Sequence, residues 1–146
     1  MAMICVAVVA AGVLPWIFDA NGSHMFNPEW SAHARLHDAI AVCLATLTAM
    51  AGLVFLCFRD VRRHSGLFRL AAMTGLLPWV AILAAGLVPG TAYANPDAAA
   101  DHVHLFGSEL PGPVFGSVLF LTIGCLGIIF YPTCPPRGAH HESLWT

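Results

Sequence analysis

Residues 39–58 read AIAVCLATLTAMAGLVFLCF, twenty consecutive residues without a charge. A helix rises 1.5 Å per residue, so this run is about 30 Å long, the thickness of the hydrocarbon core of a bilayer. Working outward, three further apolar blocks appear at residues 3–18, 67–88 and 113–131. Arg69 is the one charged residue inside any of them, and it lies near an end. Over the 146 residues 58% are hydrophobic and 10% charged, with a mean hydropathy of +0.76. A soluble domain carries about 25% charged residues. A chain this short also lacks the interior to hide so much apolar side chain. The expected fold class is therefore all-α: one polytopic membrane domain over residues 1–146, a bundle of four transmembrane helices.

The first block is the shortest. A cleaved signal would begin with a basic segment and end on small residues. Here Met1-Ala2-Met3-Ile4 has no basic residue, and Pro15, Trp16 and Phe18 are bulky. The block is expected to be a retained first helix. Orientation follows from the arginines, because the chain has no Lys. Arg59, Arg62, Arg63 and Arg69 flank the connection between the second and third blocks, and Arg137 lies in the tail. The positive-inside rule places that connection, and with it both termini, in the cytoplasm. Residues 19–38 and 89–112 become outward loops of a multi-pass protein of the inner, cytoplasmic membrane.

Two fragments resemble each other: Gly12-Val13-Leu14-Pro15-Trp16-Ile17 and Gly75-Leu76-Leu77-Pro78-Trp79-Val80. A duplicated helical hairpin and coincidence explain them equally well. Each proline removes a backbone hydrogen bond and is expected to kink or end its helix. Small residues at Ala45/Ala49/Gly52, Ala81/Ala84/Ala85 and Gly116/Gly124/Gly127 permit close helix approach. Cys5, Cys43, Cys57 and Cys125 fall in the apolar blocks, where Cys is a small hydrophobe, and no C-x-x-C motif occurs.

The chemistry-bearing residues collect in the two outward loops. Asn27 is read as an N-cap with Pro28 in the first turn, starting a helix that runs on into the second span. On it His33 and His37 stand at i and i+4 and share a face, a spacing that lets two imidazoles hold one metal ion. His102-Val103-His104 forms a second pair, pointing one way in extended backbone, although a short helix is expected near residues 98–106. With His24 these make five candidate metal ligands, for a zinc, copper or iron ion. Asp19, Asp101 and Glu109 are further ligands or proton carriers. The catalytic set is His33, His37, Asp101 and Glu109. Asn27, Trp30 and Arg35 are the candidate ligand-binding residues, with Arg35 suited to a carboxylate or phosphate. The plainer alternative makes these His interfacial side chains beside Trp30 and Tyr93, with Arg35 paired to Asp38 or Glu29. His140-His141-Glu142 reads as a polar tail.

The stretch Asn27-Pro28-Glu29-Trp30-Ser31-Ala32-His33-Ala34-Arg35-Leu36-His37 resembles a signature, N-P-x-W-x-x-H-A-R-x-H, of small bacterial and fungal four-helix membrane proteins of uncharacterised function. That resemblance implies four spans and no particular activity. A looser similarity is to the sterol-isomerase and sigma-2-receptor group, which binds lipophilic molecules inside its bundle; the carboxylate pair expected in such a bundle is missing here. Membrane di-iron hydroxylases differ, having many more His in H-x-x-x-H and H-x-x-H-H boxes.

Two functions compete. The first is a metal-dependent or acid–base membrane enzyme, an oxidoreductase or isomerase, acting on a lipophilic small molecule at the outer face. The second is a non-catalytic subunit or assembly factor, docked through its loops to a membrane partner or to another copy of itself. Membrane lipid is the common surrounding of both. With a net charge of −2 and no basic stripe beyond residues 59–69, nucleic acid is not an expected partner.

Overall fold

The computed structural model describes residues 1–93 and 102–131. The chain is mostly helical. α1 runs Ala2–Phe18, α2 Ala32–Cys57, α3 Arg59–Arg63 and α4 Ser65–Ala85. Two short strands, β1 His102–Leu105 and β2 Ser108–Pro111, precede α5, Gly112–Ile129. α2, α4 and α5 are long and apolar enough to cross a membrane, and α1 is a shorter apolar helix of 17 residues.

The helices are apolar around nearly their whole circumference, the pattern of a segment that meets packing on one side and lipid on the other. α1 packs against α2 and α5, α4 packs against the same two, and α1 also touches α4 across the diagonal. Ile4, Ala7, Val8 and Ala11 of α1 meet Ala49 and Leu56 of α2 and Phe68, Ala72, Leu76 and Trp79 of α4 in one core. Around it Leu47, Leu70 and Ile129 remain 61–70% exposed, on a surface made of side chains that water would not solvate well.

Close backbone approach is what lets these helices meet. A Cβ on Gly52 would stand 2.7 Å from the Gly75 Cα and N. A Cβ on Gly75 would stand 2.6 Å from the Val8 methyls, so three helices converge where two glycines face each other. The similar Gly-x-x-Pro-Trp fragments turn out to be equivalent crosslinks. Gly12 seats against Ala49, and the Trp16 indole N–H donates to Thr46 Oγ1 of α2 at 2.8 Å. Gly75 seats against Val8, and the Trp79 indole N–H donates to the Ala7 carbonyl of α1 at 2.9 Å. Thr46 in turn donates to the Gly12 carbonyl, one turn before Pro15. Pro15 and Pro78 lie inside their helices and do not end them.

Two local expectations are corrected. α2 starts at Ala32 and not at Pro28: Ser31 is the N-cap, its hydroxyl accepting from the Ala34 N–H at 3.1 Å. Asn27 caps a turn, its Oδ1 accepting from the Glu29 N–H at 2.9 Å. Arg69 lies near the start of α4, as its place in the third block implies, and the connection from α2 is the five-residue helix α3. Residues 102–105 are strand and not helix. They pair antiparallel with β2, His104 opposite Glu109, through a two-residue turn. Phe106 and Gly107 both have positive φ there, 49° and 81°, the backbone that matches the twist of paired strands. The expectations for Asp101, Arg137 and the His140-His141-Glu142 tail lie outside the described residues.

Gly52→Ala places a methyl against backbone that has no side chain to swing aside, and is expected to destabilise the bundle by about 1–3 kcal/mol. Gly66→Ala, where the added methyl meets nothing within 4 Å in the first turn of α4, is expected to stabilise by about 0.5–1 kcal/mol. Thermal unfolding in detergent, followed by circular dichroism, checks both signs.

Candidate functional site

α1 and α4 run in one direction and α2 and α5 in the other, as the contacts Gly12–Ala49 and Phe120–Trp79 require. The loop of residues 19–31 and the β1–β2 hairpin therefore stand at the same end of the bundle. The loop is tied by its own short polar residues. Asn21 Oδ1 accepts from the Ser23 N–H at 2.8 Å and from its hydroxyl at 2.6 Å, and the Asn27 amide donates to the Ser23 carbonyl. Asn and Ser do this because their short polar side chains reach the backbone of nearby residues.

The Ser31 cap sets the register of the first turns of α2, and with it the placement of His33 and His37. Their rings meet edge to face, with centroids 4.5 Å apart and planes at 89°. The two Nε2 atoms are 3.0 Å apart, one donating and the other accepting. Both side chains are exposed. Two nitrogens each about 2.0–2.1 Å from one tetrahedral ion would stand about 3.3 Å apart, a few tenths of an ångström more than here. The pair is thus spaced to share a proton, and close to the spacing that grips an ion as adjacent ligands.

The other histidines go elsewhere. His24 Nδ1 lies 2.9 Å from Ser23 Oγ, and its ring stacks edge-on against Trp30 at 6.0 Å. His104 Nδ1 lies 3.5 Å from Glu109 Oε1 across the hairpin, in an exposed pair of the kind that contributes little to stability. His102 lies on the same strand two residues earlier, on the same face. Among the described residues no three His, Cys, Asp or Glu stand together as a metal centre. Of the five imidazoles, His33 and His37 form one tight pair, while His24 and His104 contact other residues. Asp101, in the expected catalytic set, lies outside the described residues.

Arg35 is half-buried on the opposite face of α2 from the pair, two positions from each His, and forms an ion pair with neither Asp38 nor Glu29. That removes the pairing expected on the plainer reading. Asp38 is the residue the sequence reading undervalued: among the described residues its Oδ2 is buried without a hydrogen-bond partner. Its position one residue after His37, at the apolar boundary of α2, was the available signal. At the far end of the loop region, Tyr93 folds over Gly86 and donates to the Leu83 carbonyl at 2.7 Å. A Cβ on Gly86 would overlap that ring.

Residues 3–105 match a family of unknown function (DUF6640), and the chain belongs to that family. No curated protein and no solved structure matches it.

Ser31→Ala removes the cap and is expected to cost the first turn of α2 about 1 kcal/mol, with Ser31→Asp restoring it. Hydrogen exchange at the Ala34 and Arg35 amides reads the loss directly.

Proposed function

We propose that the chain is a four-span protein of the inner membrane that acts on a lipophilic small molecule at the outer face, with the His33–His37 pair as its chemical centre. The observation that carries this reading is the 3.0 Å contact between the two Nε2 atoms, on exposed side chains at the capped start of a membrane-length helix. α1 completes the spans. It contacts α2 through Trp16 near one end and α5 through Ile4, against Gly127, near the other, so it runs the depth of the bundle. The arginines of α3 and the start of α4 mark the opposite, cytoplasmic end, together with both termini.

At the mouth, imidazoles suit proton transfer near neutral pH. The same two nitrogens suit a zinc, copper or iron ion, whose remaining positions water and substrate would fill. Arg35, free of Asp38 and Glu29, supplies a grip for an anionic group on the substrate. Asn27 and Trp30 line the adjoining turn, and Asp38 on the same helix and Glu109 at the same end of the bundle are the candidate proton carriers.

Two measurements on detergent-solubilised protein test the centre. Zinc loading followed by metal analysis is expected to give bound ion in the native chain and a loss of most of it in His33→Ala/His37→Ala. Equal zinc in both would eliminate the metal form. In metal-free protein, nitrogen NMR of the imidazoles is expected to show a hydrogen-bonded His33 Nε2 that changes in His37→Ala; an unchanged signal would mean the pair does not act as a unit. Both side chains are exposed, so loss of fold does not confuse either result.

A further inference from the structure

Four of the six basic residues, Arg59, Arg62, Arg63 and Arg69, stand at the end of the bundle opposite the His33–His37 pair. Three of them belong to α3 at positions i, i+3 and i+4, and so share one face of that helix. Val61 projects from the other side and packs against the hydrophobic core, which docks α3 against the bundle. Docking settles where the arginine face points: away from the core, between the ends of α2 and α4.

The charges on this face are uncompensated within the described residues. Asp60 lies in the same helix yet forms no ion pair with any of the four arginines. The neighbouring His64 is occupied with backbone, its Nδ1 2.9 Å from the Asp60 carbonyl oxygen. On either side the surface is apolar, with Phe58, Leu67 and Leu70 at least half exposed. A cluster of guanidinium groups bordered by exposed Phe and Leu matches one environment: the level where lipid phosphates meet acyl chains.

The residue type narrows the ligand. Membrane topology is set by positive charge, and Lys serves it as well as Arg. Arg differs in presenting a planar fork of donors that holds two oxygens of one carboxylate or phosphoryl group at once, and at the membrane surface that group is a lipid phosphate. Every basic residue here is Arg. We infer that the Arg59/Arg62/Arg63 face of α3, with Arg69 beside it, is a binding site for the phosphodiester headgroup of an anionic phospholipid. The inference rests on the membrane reading above, and not on the His33–His37 centre.

The test uses the full chain purified in mild detergent, with phosphatidylglycerol and phosphatidylcholine as probes in native mass spectrometry. Native protein is expected to retain phosphatidylglycerol in preference to phosphatidylcholine by about tenfold, a difference of about 1.4 kcal/mol. Arg59→Lys/Arg62→Lys/Arg63→Lys keeps the charge, and hence the topology, and is expected to lose most of that preference. Equal retention of the two lipids by the native chain overturns the site. Undiminished preference in the Lys variant overturns the two-oxygen grip. Displacement of phosphatidylglycerol by millimolar inorganic phosphate would assign the arginines to a free anion and overturn the lipid. Release of the chain from membranes by alkaline wash, without detergent, would instead overturn the membrane reading itself.

Discussion

The close contact of Gly52 with Gly75, with Val8 lying over Gly75 from a third helix, is the constraint on which the rest of the structure depends. Lipid tails are as apolar as leucine side chains, so helices in a bilayer gain little from hiding apolar surface from one another. They gain by packing, and packing improves as backbones come nearer. Where two glycines face each other, α2 and α4 approach until a methyl group would no longer fit between them. α1 then lies in the groove they form. The indoles of Trp16 and Trp79 tie α1 to each of the two in turn, through partners that lipid could not supply.

This packing determines what each end of the bundle presents. Antiparallel neighbours bring the loop after α1 and the hairpin before α5 to one end, and leave α3 at the other. The charges divide accordingly. His33, His37, Arg35, Asp38 and Glu109 share the first end, and Arg59, Arg62, Arg63 and Arg69 share the second. Between the two ends lie helices long and apolar enough to cross a membrane, and an ionised group within hydrocarbon would be expensive.

Much of the architecture was legible from residues alone. The absence of charge over residues 39–58 makes a long apolar helix the one way to satisfy that backbone in a bilayer. The i, i+4 spacing of His33 and His37 placed them on one face before any coordinates, and their nitrogens do meet. The parts that were not legible are those where two local solutions have similar energy. Asn27 and Ser31 are both good caps, and Asn27-Pro28 with its Asx turn took the turn while Ser31 took the helix. Residues 102–105 alternate polar and apolar in too short a run for period to decide. The positive-φ turn at Phe106-Gly107 and the partner strand decided it.

By itself the sequence determined the class of protein, the number and rough limits of its apolar segments, the bias of arginine to one end and the adjacency of His33 to His37. All of these depend on contacts within a few residues, or on the length of a run against the thickness of a bilayer. Tertiary structure alone decided which glycines face each other, that the two Pro-Trp fragments are crosslinks to neighbouring helices, and that Val61 turns the arginines of α3 outward. It also decided that His24, His102 and His104 do not join the pair. Those outcomes depend on how helices distant in the chain are rotated against one another, and no local spacing encodes that rotation.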